Sequence, residues 1–204
     1  MKPTMKRVAA IHDLSGFGRA SLCSIIPTLS AMGVQVCPVP TAILSTHSGD
    51  FENYTFQDLT DTIPAYMAHW KQLGLEFDCI YSGFLGSPKQ TQIVADIFDD
   101  FATEDTLVVV DPVMGDNGDL YSSIPETMIP QMRKLIGKAD IIVPNYTEAA
   151  MLLGREMERQ QTDEELKEWL RELADLGPGT VMITSAPDME KPEMMNVIAY
   201  ERES

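Results

Sequence analysis

Short apolar runs of strand length alternate with segments of helical periodicity along this chain. Residues 7–12, 77–82, 106–110, 140–143 and 180–184 are compact, mostly apolar runs, and 34–44 is a longer extended stretch. Between them, apolar residues recur every three or four positions. This spacing predicts helices at 20–32, ended by Gly33, and over most of 56–73. Further helices are predicted at 88–101, where Pro88 opens a segment carrying Ile93, Ile97 and Phe101, and at 125–136, 146–153 and 163–176. A last run, 195–200, is predicted to be another strand.

Strands separated by helices imply right-handed βαβ units. The expected fold is therefore α/β, a three-layer sandwich with a mostly parallel sheet covered by helices on both faces. A chain of 204 residues can form one such domain with a sizeable core, or a large piece of a bigger one. No repeat, low-complexity tract or linker interrupts it, so a single domain over 1–204 is expected.

Charge then removes two classes of partner. Fifteen basic and 31 acidic side chains leave a net charge of −16, which argues against a nucleic-acid or membrane-surface binder. It does not argue against a nucleotide, for which local donors and Mg²⁺ override the global field. Much of the acid lies in 156–172 and reads as a solvated helix face. No apolar stretch approaches 18 residues, and the basic N-terminus runs into a short strand and then His12 and Asp13, so neither a span nor a signal peptide is expected. Cys23, Cys37 and Cys79 are odd in number and form no Cys-x-x-Cys; they are expected to be reduced core thiols of a cytoplasmic protein.

The candidate chemistry follows two of the strand-like runs. Asp-Pro-Val-Met-Gly at 111–115 comes after 106–110, and Pro-Asn-Tyr-Thr-Glu at 144–148 comes after 140–143. Carboxylates and an amide would emerge together at the carboxyl ends of parallel strands, where open α/β sheets bind ligands. Asp111, Asn145 and Glu148 are hard oxygen donors of the kind that hold Mg²⁺ beside a phosphate. The plainer reading makes Asp-Pro a turn and Pro-Asn a helix cap. No Gly-x-x-x-x-Gly-Lys-Ser/Thr is present. Ser-Gly-Phe-Gly at 15–18 invites a dinucleotide reading, but Ser21 stands where the third glycine should be. These glycines are better read as bringing Asp13 and Ser15 close to a small ligand. His12, His69, Trp70, Val113 and Met114 read as structural or packing residues, and His47 as a loop hydrogen-bonder rather than an acid or base.

Taken in order, Ile-His-Asp-Leu-Ser-Gly-Phe-Gly at 11–18, Ser-Thr-His-Ser-Gly at 45–49, Ser-Gly-Phe-Leu-Gly-Ser at 82–87, the two strings above and Val-Met-Ile-Thr-Ser at 181–185 resemble the vitamin B6 kinases of the ribokinase superfamily. The closely similar hydroxymethylpyrimidine kinases share much of this set. The resemblance implies a ribokinase-like fold, usually dimeric, that transfers the γ-phosphoryl group of ATP to a hydroxymethyl group on a pyridine-like ring. It places Asp13 or Ser15 at the ring hydroxyl or nitrogen. Ser48 replaces a family threonine at the ring, and Phe84 a frequent tyrosine. Asp111 and Asp116 match carboxylates near metal and phosphates, and Tyr121 a tyrosine packed near ATP. Asn145 and Glu148 match the pair that organises Mg²⁺, with Asp111 and Glu148 as the expected metal residues, and Thr184 matches a threonine near the phosphates.

One family element is not found. The general base belongs to a Gly-x-Gly-Asp motif, and no such motif occurs up to Ser204; Gly-Asp-Asn-Gly-Asp at 115–119 belongs to a different loop. No catalytic residue is therefore assigned in this chain. It is expected to correspond to the first two-thirds to three-quarters of a kinase, C-terminally incomplete and inactive alone. Hydroxymethylpyrimidine kinase, or a ligand-binding protein without turnover, are the alternative readings.

Overall fold

A computed structural model describes residues 5–48, 51, 53–156, 161–188, 191 and 194–202. Contacts group the chain into two compact units, Met1–Val108 and Val109–Ser204. The first contains β1 (Arg7–Phe17), α1 (Leu22–Ala31), β2 (Gln35–Thr46), β3 (Phe56–Asp58), α2 (Ile63–Gln72), β4 (Cys79–Ser82) and α3 (Pro88–Phe101). Its strands run in the order β4–β1–β2–β3. β1 lies parallel to both neighbours, and β3 pairs antiparallel with β2.

β1 is central because Val8, Ala9, Ala10 and Ile11 are all buried, a continuous apolar run suited to a strand covered on both faces. It runs past the expected end at residue 12, because β2 continues to pair with it as far as Phe17 and Thr46, after a register shift beyond His12. β4 stops pairing with it at Ile11 and Ser82. Asp13 and Ser15 thus lie in a strand that has outrun one neighbour. β2 tolerates Pro38 and Pro40 because β3 pairs with it only at Ala42–Leu44, leaving the proline edge free of a ladder. The helix expected over most of 56–73 occupies Ile63–Gln72. Phe56–Asp58 joins the sheet, Asp58 accepts from the Thr60 amide at 2.6 Å, and the helix starts only at Ile63 with Pro64 in its first turn.

The second unit contains β5 (Leu107–Val110, which crosses the boundary), β6 (Gly115–Asp116), β7 (Asp119–Leu120), α4 (Met128–Ile136), β8 (Ile141–Ile142), α5 (Tyr146–Leu153), α6 (Asp163–Asp175), β9 (Thr180–Pro187) and β10 (Met195–Glu201). β5, β8 and β9 are parallel neighbours, and β10 pairs antiparallel with β9. α6 buries Leu166, Trp169, Leu170 and Leu173 and turns its acids outward, the solvated face expected for 156–172; residues 157–160 of that stretch lie outside the described ones. Among the described residues, no helix is long and apolar enough to cross a membrane.

Two packing expectations need correction. The three cysteines are free but half-buried rather than core, and Val113 is likewise half-buried beside a fully buried Met114. His12 is structural as expected: buried, edge-on to Tyr81 at 4.4 Å, and desolvated enough that its pKa falls to about 3.

Candidate active site

In the second unit, everything turns on the start of α5. Asn145 is its N-cap, in extended backbone, and accepts from the Glu148 amide at 2.9 Å. Glu148 returns the bond through Oε2 to the Asn145 amide at 2.8 Å, completing a capping box. The plain helix-cap reading of this string is therefore correct, but it is incomplete. Glu148 Oε1 also accepts from the Met114 amide at 3.0 Å, and Asn145 Nδ2 donates to the Gly115 carbonyl at 2.8 Å. Thr147, which sequence reasoning passed over, accepts from the Gly118 amide at 3.0 Å. Three polar side chains at the start of one helix thus hold the loop that carries the Asp-Pro-Val-Met-Gly string.

That loop folds back as a hairpin. Asn117 and Gly118 both take positive φ, the pairing that suits a tight two-residue turn between β6 and β7. Gly115 is obligatory there, because a Cβ would lie 2.1 Å from the Asp119 carbonyl oxygen.

The electrostatics of this half are unusual. Glu148 is 2 % exposed, and burial, then the neighbouring Asp111 charge, lifts its pKa to about 8 against the pull of three backbone amides. Asp111 is lifted to about 7 by loss of hydration. Tyr121 is raised by burial and then by the charges of Glu148, Asp116 and Asp111, so these four groups share one field. Asp116 is exposed beside them. Thr184, half-buried on β9, donates its amide to the Pro144 carbonyl at 2.9 Å and bridges to Asn145. Ser185 next to it has φ 57, a strained conformation for serine.

These residues fit a magnesium ion of one particular kind. Among the described residues, no group of three carboxylate, histidine or cysteine side chains could enclose a metal. Mg²⁺ beside a nucleotide needs no such cage, since it keeps waters and takes one or two carboxylates plus phosphate oxygens. A buried and a half-buried carboxylate that resist joint ionisation are a donor set such a cation would relieve. Asp111 and Glu148 are the side chains here that could hold it, although both Glu148 oxygens already accept backbone amides.

The first unit gathers Asp13, Ser15 and Ser21. Asp13 is buried; Ser15 Oγ donates to its Oδ2 at 2.9 Å, and Ser21 Oγ donates to its Oδ1. Ser21 does this instead of capping α1, and holds φ 49. The residue that broke the dinucleotide fingerprint is thus a carboxylate partner. Ser15 is itself fully buried, and Cys23 Sγ donates to its carbonyl at 2.8 Å. Gly16 lies inside β1 rather than in a strand-to-helix turn, against a dinucleotide loop. Gly18 makes room for the His47 ring, which a Cβ would approach to 2.3 Å, and that ring meets Phe51 edge-on at 5.0 Å. Ser48 is half-buried just past β2; Gly49 lies outside the described residues. Phe84 is buried in the loop that follows β4.

This arrangement has relatives. The sequence model of the phosphomethylpyrimidine kinase family matches residues 23–204. The chain belongs to that family. A protein of Bacteroides thetaiotaomicron, named for the same family and crystallised with pyridoxal, is 52% identical, with a TM-score of 0.95 over 98% of this chain and 70% of its own. The crystal structure of pyridoxal kinase from Lactobacillus plantarum is 30% identical, with a TM-score of 0.83 over 98% of this chain and 74% of its own. This settles the ribokinase-like α/β fold expected from the motifs. A pyridoxal kinase of Paraburkholderia xenovorans is 30% identical over 92% of this chain. The chain spans 52 to 65% of the length of the first curated relatives it matches.

Proposed function

We propose that this chain supplies the ring pocket and the metal–nucleotide site of a kinase that phosphorylates the 5′-hydroxymethyl group of pyridoxal, pyridoxine or pyridoxamine with ATP. The observation that carries the reading is half-buried Asp111 just past β5 beside buried Glu148 in the first turn of α5, with pKa values of about 7 and about 8. Glu148 serves the fold as the cap partner of Asn145, but a second carboxylate whose charge opposes its ionisation is a cost that a cation-bound polyphosphate would offset. The 52% identity to a protein crystallised with pyridoxal supports a B6 vitamer as the acceptor.

In this reading Asp111 and Glu148 would hold Mg²⁺, which neutralises phosphate charge when bound. Asp116, Tyr121 and Thr184 would border the nucleotide. Asn145 and Glu148 hold the backbone of the 114–115 loop at fixed positions, and phosphoryl transfer is mostly positioning and charge neutralisation. Asp13, its charge oriented by Ser15 and Ser21, would take the ring, with Ser48 and Phe84 beside it. Transfer breaks the bond between the γ-phosphorus and its bridging oxygen to ADP and forms one to the hydroxymethyl oxygen. The hydroxyl proton passes to a base, expected from the resemblance in a Gly-x-Gly-Asp motif that these 204 residues do not contain. A cytoplasmic homodimer is part of the same proposal.

Hydroxymethylpyrimidine is the competing acceptor, favoured by the family for which the matching model is named. Calorimetric titration with pyridoxine, hydroxymethylpyrimidine and MgADP tests both without depending on turnover. Pyridoxine and MgADP binding with no pyrimidine binding is expected. The reverse preference would transfer the assignment, and failure to bind MgADP would sink both.

A further inference from the structure

Gln90 is a side chain the proposed reaction does not use, yet it is fully buried. Glutamine is rarely buried completely, and a polar group there must find partners. Gln90 finds three. Its Nε2 donates to the Thr41 carbonyl and to Thr60 Oγ1, both at 2.9 Å, and its Oε1 accepts from the Gly86 amide at 2.7 Å. Thr41, also fully buried, donates through Oγ1 to the Phe84 carbonyl at 2.9 Å. Two buried polar side chains therefore hold the backbone of one short loop, at Phe84 and at Gly86.

The same loop is walled in on two sides. A Cβ at Gly83 would lie 2.2 Å from His12 Nδ1, and one at Gly86 would lie 3.2 Å from Phe56 Cζ. With β1 and β3 against its glycines and β2 and α3 bonded to its backbone, the loop has little freedom. Neither Thr41 nor Gln90 is accessible to a ligand.

We propose that Thr41 and Gln90 are positioning residues that fix Phe84 as a rigid wall of the ring pocket, and so set affinity for the acceptor but not for the nucleotide. This rests on the reading of Phe84 as a residue beside the ring. Thr41→Val keeps the shape of the side chain and removes the bond to the Phe84 carbonyl. Thr41→Ser keeps the bond.

The test is calorimetric titration of the wild-type chain, Thr41→Val, Thr41→Ser, Phe84→Leu and the Thr41→Val/Phe84→Leu pair. The ligands are pyridoxine, which lacks the aldehyde that would react with lysines, and MgADP. Thr41→Val should weaken pyridoxine binding about three- to tenfold, the loss expected for one neutral hydrogen bond. MgADP affinity should not move, Thr41→Ser should bind like wild type, and Thr41→Val should add little once Phe84 is already Leu. Equal losses for both ligands would make the role merely structural and overturn the proposal. So would wild-type affinity in Thr41→Val, or strictly additive losses. If the wild-type chain bound hydroxymethylpyrimidine and not pyridoxine, the vitamer assignment would fall while the same series on the pyrimidine still decided the wall. Binding of neither would overturn both.

Discussion

Glu148→Gln offers a direct probe of the carboxylate pair. Glu148 has a native pKa of about 8 against an ordinary value near 4.5, so the folded protein keeps a proton that the unfolded chain has released. Stability must then fall as pH rises through that interval. Asp111, at about 7, acts in the same direction. His12 acts oppositely: at about 3 when folded and 6.5 when free, it adds stability as pH rises to 6.5 and contributes no slope above it. The window from pH 6.5 to 8 therefore isolates the pair. The native state holds about one extra proton there, worth roughly 2 kcal/mol over the window. For a chain of this length that is a fall in Tm of about 4–8 °C.

Replacing Glu148 by Gln should have two effects that separate cleanly. At pH 6.5 the variant should be less stable by about 1–3 kcal/mol, because an amide can accept from only one of the Met114 and Asn145 N–H groups and leaves the other facing a donor. Between pH 6.5 and 8, however, its stability should be much flatter than wild type, since only Asp111 still titrates. Adding Mg²⁺ with ADP should flatten the wild-type profile as well, by favouring the ionised pair. Urea denaturation at several pH values, with and without MgADP, measures all three. A wild-type chain more stable at pH 8 than at 6.5, or a Glu148→Gln chain with the wild-type slope, would refute the assignment of these protons.

Other outcomes follow from single contacts. Gly83→Ala should destabilise the protein by about 1–3 kcal/mol through overpacking, since its Cβ would fall 2.2 Å from His12 Nδ1; the cost should shrink in a His12→Ala background, measured by a thermal double-mutant cycle. Asn145→Ala removes both a helix cap and the bond to the Gly115 carbonyl, so it should cost about 1–2 kcal/mol of stability and weaken MgADP binding, leaving pyridoxine affinity alone. Ser48→Ala should weaken pyridoxine binding by about 0.5–1.5 kcal/mol with MgADP unaffected; calorimetry of both ligands decides it.

The legible parts of this chain were those whose cause is local. α3 occupies the predicted 88–101 because Pro88 follows the Ser87 cap, and α5 occupies 146–153 because Asn145 and Glu148 form a capping box readable from spacing alone. The Asn117-Gly118 pair is also a readable hairpin signal, and it turns β6 into β7. What stayed hidden depends on partners distant in sequence. β1 extends to Phe17 only because β2 follows it, and nothing near Thr41 or Gln90 announces that they meet across 49 residues. Ser21 breaks a glycine pattern in the sequence, and only the fold brings its hydroxyl onto Asp13.

The same contrast explains how the candidate site is built. A cap residue ordinarily serves its own helix, as Asn145 and Glu148 do in the capping box of α5. Here both of these side chains, and Thr147 between them, bond backbone of the 114–118 loop, so one helix turn sets the position of a loop some thirty residues earlier in the chain. Ser21 shows the trade in reverse: it gives up capping α1 to orient Asp13, and accepts a strained backbone in doing so. In both units, therefore, polar side chains at a helix start are bonded to residues outside the helix, in addition to the cap at α5 and in place of it at α1. That pattern is what a ligand site requires, because charges that resist burial must be held ready before the ligand arrives.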